Sequence, residues 1–224
     1  METPQPLNKT VFIFANGDAN DGPLVRQALS TYPDATVIAA DGGARQAIYY
    51  GKVIDEVIGD MDSLDDDEIA ALEAAGATLL RHPVEKDETD LELALLRAAK
   101  MGANKIRLFA ALGDRLDQTL SNIYLLGLNA LQGRDVRIVA GKQEAWLAYP
   151  GMIVVSGHAG DTLSLIPVNG AAEGIRTENL YYPLKNETLR FGPARGISNV
   201  LTSSEARVWL EAGLLLVVHT LGRA

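Results

Sequence analysis

The first part of the chain alternates short apolar runs with amphipathic segments, and this alternation constrains its fold more than any other feature. Strands are predicted at residues 10–15, 36–40, 53–58, 78–81, 105–110 and 136–140. Helices are predicted from residue 23 and at residues 44–50, 65–75, 91–100 and 117–131. Strands that alternate with helices form βαβ units and a mainly parallel sheet. Ligands of such sheets bind beyond the carboxyl ends of the strands.

The pattern changes near residue 142, after which short β-rich runs are separated by Gly, Pro and Asn. These runs cover residues 145–147, 152–155, 162–166, 188–191, 206–210 and 214–219. Regularly spaced short strands are typical of an antiparallel sandwich or barrel. We therefore predict two domains, an α/β domain at residues 1–142 and a β-rich domain at residues 143–224.

The charge and the absence of cysteine exclude several classes of partner and of chemistry. The formal net charge is -9 at pH 7, whereas binding to nucleic acid or to an anionic membrane requires a basic surface. The chain contains no cysteine, which excludes disulfides, thiolate catalysis and Cys-ligated zinc. No apolar run approaches the roughly 20 residues that span a bilayer. We expect a cytoplasmic protein that binds neither nucleic acid nor membrane.

The most specific local feature is the sequence Val-Ile-Gly-Asp-Met-Asp-Ser-Leu at residues 57–64. In an extended backbone, side chains at positions i and i+2 leave the same face, so Asp60 and Asp62 are expected to point at one cation. Such paired carboxylates suit Mg²⁺, which completes its shell with water and substrate phosphates. The alternative is that Asp60, Asp62 or Ser63 only caps the following helix.

Two further acidic clusters follow strands later in the chain. Residues 85–90 read Glu-Lys-Asp-Glu-Thr-Asp, and Asp87 and Asp90 are suited to cap the next helix. Residues 113–119 contain Arg115, whose guanidinium either binds phosphate oxygens or forms an exposed ion pair with Asp114 or Asp117. Each cluster alone is explained as well by capping or by ion pairing as by ligand binding.

The acidic clusters are more informative together than singly. Five aspartates are predicted along one edge of the sheet, namely Asp41, Asp60, Asp62, Asp90 and Asp117. Clustered like charges are costly unless a cation neutralises them. A metal site therefore explains the whole set, whereas helix capping has to be invoked separately for each residue.

Sequence motifs of other common sites are missing. The sequence contains no Gly-x-x-x-x-Gly-Lys-Ser/Thr phosphate loop, no Gly-x-Gly-x-x-Gly fingerprint and no Gly-x-Ser-x-Gly elbow. The three histidines, His82, His158 and His219, lack the spacing of metal ligands, and we interpret them as structural. Trp146 and Trp209 fall in strand-like runs and are predicted to lie in the core.

Five stretches, taken together, resemble the thiamine pyrophosphokinase (thiamin diphosphokinase) family. They are Asp41-Gly42-Gly43, residues 58–64, Asp87-Glu88-Thr89-Asp90, residues 113–122 and Gly196-Ile197-Ser198-Asn199. The resemblance implies transfer of the pyrophosphoryl group of ATP to the hydroxyl of thiamine, which gives thiamine diphosphate and AMP. It also implies an α/β domain followed by an antiparallel β-sandwich domain, in a homodimer with sites between subunits.

The resemblance also implies roles for individual residues. The catalytic set is Asp41, Asp60, Asp62, Asp90 and Asp117, of which Asp60, Asp62 and Asp90 are expected to bind Mg²⁺. The ATP side comprises Lys86, Thr89, Arg115 and Gln118, and the thiamine side comprises Ser198 and Asn199. Met61 stands where many members carry Phe, and Gln118 where bacterial members often carry His, but neither departure removes a charge.

The residues leave three questions open at this stage. Either Asp41 or Asp117 could accept the proton of the attacking hydroxyl. The fold and metal site do not fix the acceptor, so another hydroxymethyl heterocycle such as a pterin is an alternative to thiamine. A third possibility is a non-catalytic sensor of thiamine or nucleotide, although none of the five aspartates is lost.

Overall fold

The structure, a computed structural model, describes residues 9–223 and divides into two compact units. The first unit ends at Gly141 and the second begins at Lys142. The first is an α/β unit and the second consists of antiparallel strands. This is the fold class that the sequence predicts.

From residue 9 onward, the first unit is a six-stranded parallel sheet with five α-helices. Its strands are β1 (Thr10–Phe14), β2 (Thr36–Ala40), β3 (Glu56–Gly59), β4 (Thr78–Arg81), β5 (Lys105–Phe109) and β6 (Asp135–Ala140). Its helices are α1 (Pro23–Thr31), α2 (Gly43–Tyr49), α3 (Asp66–Ala74), α4 (Asp90–Lys100) and α5 (Leu116–Leu125). The strands lie in the order β6-β5-β1-β2-β3-β4, and all neighbours are parallel. The carboxyl ends of all six strands therefore lie along the same edge of the sheet.

The centre of this sheet is buried. Every residue of β1 is buried, which explains the uninterrupted apolar run in the sequence, because helices cover both faces of a parallel sheet. Phe109 stacks on Phe14 with ring centroids 5.0 Å apart and meets Phe12 edge to face at 5.3 Å. These rings anchor the two central strands whose carboxyl ends border the site.

The fifth helix is shorter than the sequence predicts. It ends at Leu125, and residues Asn129–Leu131 form a separate 3₁₀ turn. The amides of Leu126 and Gly127 bond the carbonyls three residues back, which tightens the last turn and ends the helix. Among the described residues, no helix combines the length and apolarity needed to cross a membrane.

The second unit is a sandwich of two antiparallel sheets. Its strands are β7 (Gln143–Ala148), β8 (Gly151–Ser156), β9 (Thr162–Pro167), β10 (Ala172–Glu178), β11 (Lys185–Leu189), β12 (Asn199–Val200), β13 (Glu205–Leu210) and β14 (Leu215–Thr220). One group runs β12-β9-β14-β7 and the other β11-β10-β13-β8. Buried side chains from both groups, among them Leu165, Val208 and Val217, form one core cluster.

Three strands of this unit differ from the sequence prediction, and one of them is the two-residue strand β12, which was not predicted. Strand β10 is missed because Gly174 lies in an irregular part of its pairing with β11, so Ala172 and Ile175 both point inward and the period of two is broken. Strand β11 is predicted too late, at residues 188–191. It is an edge strand in which four polar residues precede the buried Leu189, and polar residues on an edge are typical of protected sheets.

The two tryptophans have different environments. Trp146 is buried in the sandwich core, as predicted. Trp209 is only half-buried, and the guanidinium carbon of Arg176 lies 3.9 Å from its ring centroid. The prediction of a core position is therefore wrong for Trp209, whose strand neighbours Val208 and Leu210 supply the inward side chains instead.

His219 on β14 is buried between two carboxylates. Its Nε2 lies 3.0 Å from Asp161 Oδ2 and its Nδ1 lies 3.6 Å from Glu144 Oε1. Asp161 also accepts hydrogen bonds from the amides of Gly222 and His158. Burial opposes the charged imidazole, but the two carboxylates outweigh it and raise the pKa of His219 above its ordinary value.

This arrangement predicts that the second unit loses stability as the pH rises. Because the pKa of His219 is raised on folding, its contribution is complete below the unfolded pKa, about 6.5, and is lost as pH rises through the folded value. The thermal midpoint should be higher at pH 6 than at pH 8, and His219→Gln should remove that difference. His82→Gln, in the first unit, serves as the control. An unchanged difference in His219→Gln would contradict the assignment.

Candidate active site

A cavity of about 500 Å³ opens at the carboxyl ends of the parallel strands in the first unit. Asp41 follows β2, Asp60 and Asp62 follow β3, and Lys86 lies in the loop between β4 and α4. The lining also includes Asp90, Thr89, Arg115 and Gln118. The cavity therefore collects four of the five aspartates and all four ATP-side residues predicted from the sequence; Asp117 is outside its lining.

Several strands turn sharply where they reach the cavity. Asp41, Met61 and Ala110 have positive φ angles of 46°, 67° and 52°. Such angles are uncommon for residues other than glycine and cluster at functional sites. Met61 is buried in the core, so its side chain anchors the loop from inside while its neighbours point outward.

The two aspartates after β3 converge for a different reason from the one predicted. The backbone between them is not extended, because Met61 is left-handed. The loop instead folds back so that the amide of Asp62 donates to Asp60 Oδ1 at 3.2 Å. The prediction of convergence holds, but a turn produces it.

Three of the carboxylates are placed to share a cation. One oxygen each of Asp41, Asp60 and Asp62 lie within 4.8 Å of one another. Asp41 is buried, and its Oδ1 has no hydrogen-bond partner. An unpaired buried carboxylate oxygen is costly unless a cation or a donor satisfies it. The group offers hard oxygen ligands, which suit Mg²⁺.

Helix capping does not account for these aspartates. Helix α3 is capped by Asp65, which forms a reciprocal capping box with Glu68. Helix α4 is capped by Thr89, whose hydroxyl accepts from the amide of Glu92, so the predicted capping by Asp87 is wrong. Asp90 is the first residue of α4 and is turned toward the cavity. The capping alternative is thus excluded for Asp60 and Asp62.

Lys86 connects two of the aspartates. Its Nζ lies 3.1 Å from Asp60 Oδ2 and 3.1 Å from Asp90 Oδ1, and its side chain is 11% exposed. The hydrogen bond from Lys86 lowers the pKa of Asp60 below its ordinary value. Burial raises the pKa of Asp90, and the Lys86 contact only partly offsets it. The site therefore holds ionised Asp60 beside a carboxyl that is costly to ionise.

Gly59 makes room for this cluster. Its φ is 148°, and a Cβ there would lie 2.9 Å from Asp90 Cγ and 3.1 Å from Asp41 Cβ. The first distance is shorter than real Cβ contacts, and the second is tighter than most of them. Only glycine lets Asp41 and Asp90 approach the end of β3 so closely.

The Arg115 segment is exposed in this structure. Arg115 and Asp117 form an ion pair at 2.7 Å, and each side chain is 67% exposed. The hydrogen bond from Arg115 lowers the pKa of Asp117. This is the exposed ion pair considered from the sequence, although Arg115 still borders the cavity.

Two asparagines of the lining were missed from the sequence. Asn16 follows β1 as Asp41 follows β2, and its position at a strand end was the available signal. Asn122 lies on α5, and its amide donates to the carbonyl of Ala111 at 2.7 Å. That bond ties α5 to the segment after β5.

The predicted thiamine-side residues lie in the second unit. Asn199 is buried, and its side chain both accepts from the amide of Tyr182 at 2.9 Å and donates to the Tyr182 carbonyl at 2.7 Å. Ser198 is exposed with a φ of 58°, and its amide donates to Ser164 Oγ. Asn199 therefore holds the turn at Tyr182. Ser198 lies on the surface, and it is its backbone amide that bonds Ser164.

Comparison with protein families covers both units. A model described as the thiamin pyrophosphokinase catalytic domain matches residues 30–139, and one described as its vitamin B1 binding domain matches residues 152–215. The chain belongs to the thiamine pyrophosphokinase family. The resemblance drawn from the five sequence stretches is thereby confirmed.

Individual members of the thiamine pyrophosphokinase family match over nearly the whole chain. The thiamine pyrophosphokinase of Bacillus subtilis is 28% identical over 215 residues, which are 95% of this chain and 99% of that protein. A crystal structure of the Bacillus subtilis protein aligns with a TM-score of 0.83 at 27% identity, covering 95% of this chain and 99% of that one. The enzyme from Geobacillus thermodenitrificans aligns with a TM-score of 0.80 at 27% identity, covering 94% and 97%.

Proposed function

We propose that this protein transfers the pyrophosphoryl group of ATP to the hydroxyl of thiamine, giving thiamine diphosphate and AMP. The observation that carries the proposal is the acidic cavity at the strand ends of the first unit, in a chain matched by both domains of the thiamine pyrophosphokinase family. The Bacillus subtilis relative, which aligns over nearly its full length, is named for this activity. Pyrophosphoryl transfer needs positioned charges and no protein nucleophile.

The site is proposed to work with Mg²⁺. Asp60 and Asp62 supply ligands, Asp90 lies beside them in the cavity lining, and Asp41 keeps its unpaired Oδ1 for the hydroxyl of the acceptor. The donor set consists of carboxylate oxygens alone, which fits Mg²⁺. Bound there, Mg²⁺ would neutralise triphosphate charge.

Cationic and polar residues around the carboxylates are proposed to bind ATP. Lys86 lies inside the cavity and Arg115 at its border, and both carry charges that complement phosphate oxygens. Arg115 would exchange Asp117 for phosphate, which costs little because that ion pair is exposed. Thr89 and Gln118 offer hydrogen bonds from the same lining.

Asp41 is proposed as the residue that accepts the proton of the attacking hydroxyl. It is buried with a free oxygen, whereas Asp117 is exposed and its pKa is lowered by Arg115, which makes it a weaker base. We expect Asp41→Asn to lower turnover by about a hundredfold or more while ATP still binds. Asp117→Asn is the matched control, with an expected loss below about tenfold. The measurements are turnover and ATP titration for both variants. A larger loss of turnover in Asp117→Asn than in Asp41→Asn would overturn the assignment of Asp41 as the base.

Ser198 is proposed as the thiamine contact of the second unit, with Asn199 acting through the loop that it holds. The exposed hydroxyl of Ser198 is free to meet a ligand, whereas both polar atoms of the Asn199 amide bond backbone groups. A homodimer and a cytoplasmic location complete the proposal. Light scattering behind a sizing column tests the dimer.

A panel of acceptors tests the substrate. Purified protein with ATP and Mg²⁺ is offered thiamine, a hydroxymethyl pterin or no acceptor, and AMP release is measured. The proposal expects AMP with thiamine and none above background with the pterin or without acceptor. AMP with the pterin alone would favour the other heterocycle, and ATP binding without any AMP would favour a sensor.

A further inference from the structure

The ammonium group of Lys86 is held among three oxygen atoms. Its Nζ lies 3.1 Å from Asp60 Oδ2, 3.1 Å from Asp90 Oδ1 and 3.1 Å from the carbonyl oxygen of Pro83. Asp60 and Pro83 accept hydrogen bonds from it, and the contact with Asp90 is an ion pair that leaves Asp90 Oδ1 without a hydrogen bond. The side chain is 11% exposed. Lys86 thus sits among the carboxylates as a bound cation would.

The carboxylates around Lys86 need a positive charge. Asp41, Asp60, Asp62 and Asp90 all line the cavity, and Asp41 and Asp60 come close enough to share a cation. Of the two cationic residues in that lining, Arg115 is engaged with Asp117 at the border. In the arrangement observed, Lys86 is therefore the lining cation that pairs with two of these carboxylates, Asp60 and Asp90.

We propose that Lys86 is a counterion that holds Asp60, a residue of the metal site, in the nucleotide-free protein and releases it when metal and nucleotide bind together. The inference rests on the metal site of the proposed function and adds a role for a residue outside the carboxylate set. A divalent cation and the ammonium compete for Asp60, because one carboxylate cannot hold both at full strength.

The position of Lys86 allows this exchange. It lies in the loop between β4 and α4, and its four-carbon stem lets the ammonium move without displacement of the helix. The same cavity that holds Lys86 is the one proposed for the triphosphate, so phosphate oxygens replace Asp60 and Asp90 as acceptors. Binding of the metal and binding of the nucleotide are then coupled, and by linkage each strengthens the other.

Metal binding in the absence of substrate tests the inference. Mn²⁺ affinity is measured by electron paramagnetic resonance or calorimetry for wild type and Lys86→Met, with and without a non-hydrolysable ATP analogue. Wild type is expected to bind Mn²⁺ weakly alone and more tightly with the analogue. Lys86→Met should bind Mn²⁺ alone about tenfold more tightly than wild type, with a smaller gain from the analogue. Its thermal midpoint without metal should fall, and Mn²⁺ should raise it by more than in wild type.

Lys100→Met is the matched control, since Lys100 is exposed at the opposite end of α4 and its loss changes net charge equally. Its Mn²⁺ affinity should equal that of wild type. Equal or weaker Mn²⁺ binding by Lys86→Met would overturn the counterion role and leave the metal site standing. Failure of all three proteins to bind Mn²⁺, even with the analogue, would overturn the metal site and this inference together.

Discussion

Replacing Asp60 by asparagine is expected to lower turnover by about a thousandfold while the protein stays folded. Asp60 belongs to the group whose oxygens lie within 4.8 Å of one another, and it also bonds Lys86. The substitution keeps the size of the side chain but removes the negative charge of Asp60, which is the proposed metal ligand and the partner of Lys86. The proposed Mg²⁺ would bind less tightly, and Lys86 would lose its charged partner, whereas no apolar contact is lost.

Asp67→Asn is the control for this prediction. Asp67 is an exposed residue in the first turn of α3, so the same chemical change occurs a few residues away from the cavity. Steady-state kinetics should show near wild-type turnover for Asp67→Asn, and circular dichroism should show native folding for both variants. If Asp60→Asn keeps more than a tenth of wild-type turnover, the assignment of Asp60 to the metal site is wrong.

Replacing Phe109 by alanine is expected to destabilise the first unit by about 3–5 kcal/mol. Phe109 is fully buried and contacts the rings of Phe12 and Phe14 on the neighbouring strand. Its removal costs the transfer free energy of the ring and leaves a cavity that central strands close poorly. Because that is a large part of the stability of a typical domain, the variant should begin to unfold at much lower denaturant concentration.

The measurement is a urea unfolding curve read by a probe of the first unit. Phe191→Ala is the matched control, because Phe191 is 70% exposed and its loss should change the free energy of unfolding by less than about 0.5 kcal/mol. A loss below about 1 kcal/mol in Phe109→Ala would contradict the packing described for the centre of the sheet.

The elements of the first unit could be predicted because its local signals agree with its packing. Strand β1 is buried throughout, and its sequence is apolar throughout. Prediction failed where local signals conflict with the tertiary structure. The end of α5 depends on a tightened turn at Gly127, and β10 is interrupted by a bulge near Gly174 that hides its alternation. In both places the deciding contacts involve backbone geometry that a hydrophobic pattern does not encode.

The sequence predicted which residues line the site better than it predicted how they are arranged. Residues that follow parallel strands must meet at one edge, so Asp41 and Asp60 could be placed together from the sequence. The left-handed turn at Met61 and the placement of Lys86 between Asp60 and Asp90 could not, because they depend on atoms brought together by the fold. The sequence also could not show that Asp117 is exposed.

The central claim is that this site moves a pyrophosphoryl group, and the fate of the β-phosphate of ATP tests it most directly. Protein is incubated with thiamine, Mg²⁺ and ATP labelled at the β-phosphorus, and the products are separated by chromatography. The account predicts that the label appears in thiamine diphosphate, with unlabelled AMP in equal amount and neither product formed by Asp60→Asn. Labelled ADP, or thiamine that remains unmodified while ATP is consumed, would contradict it.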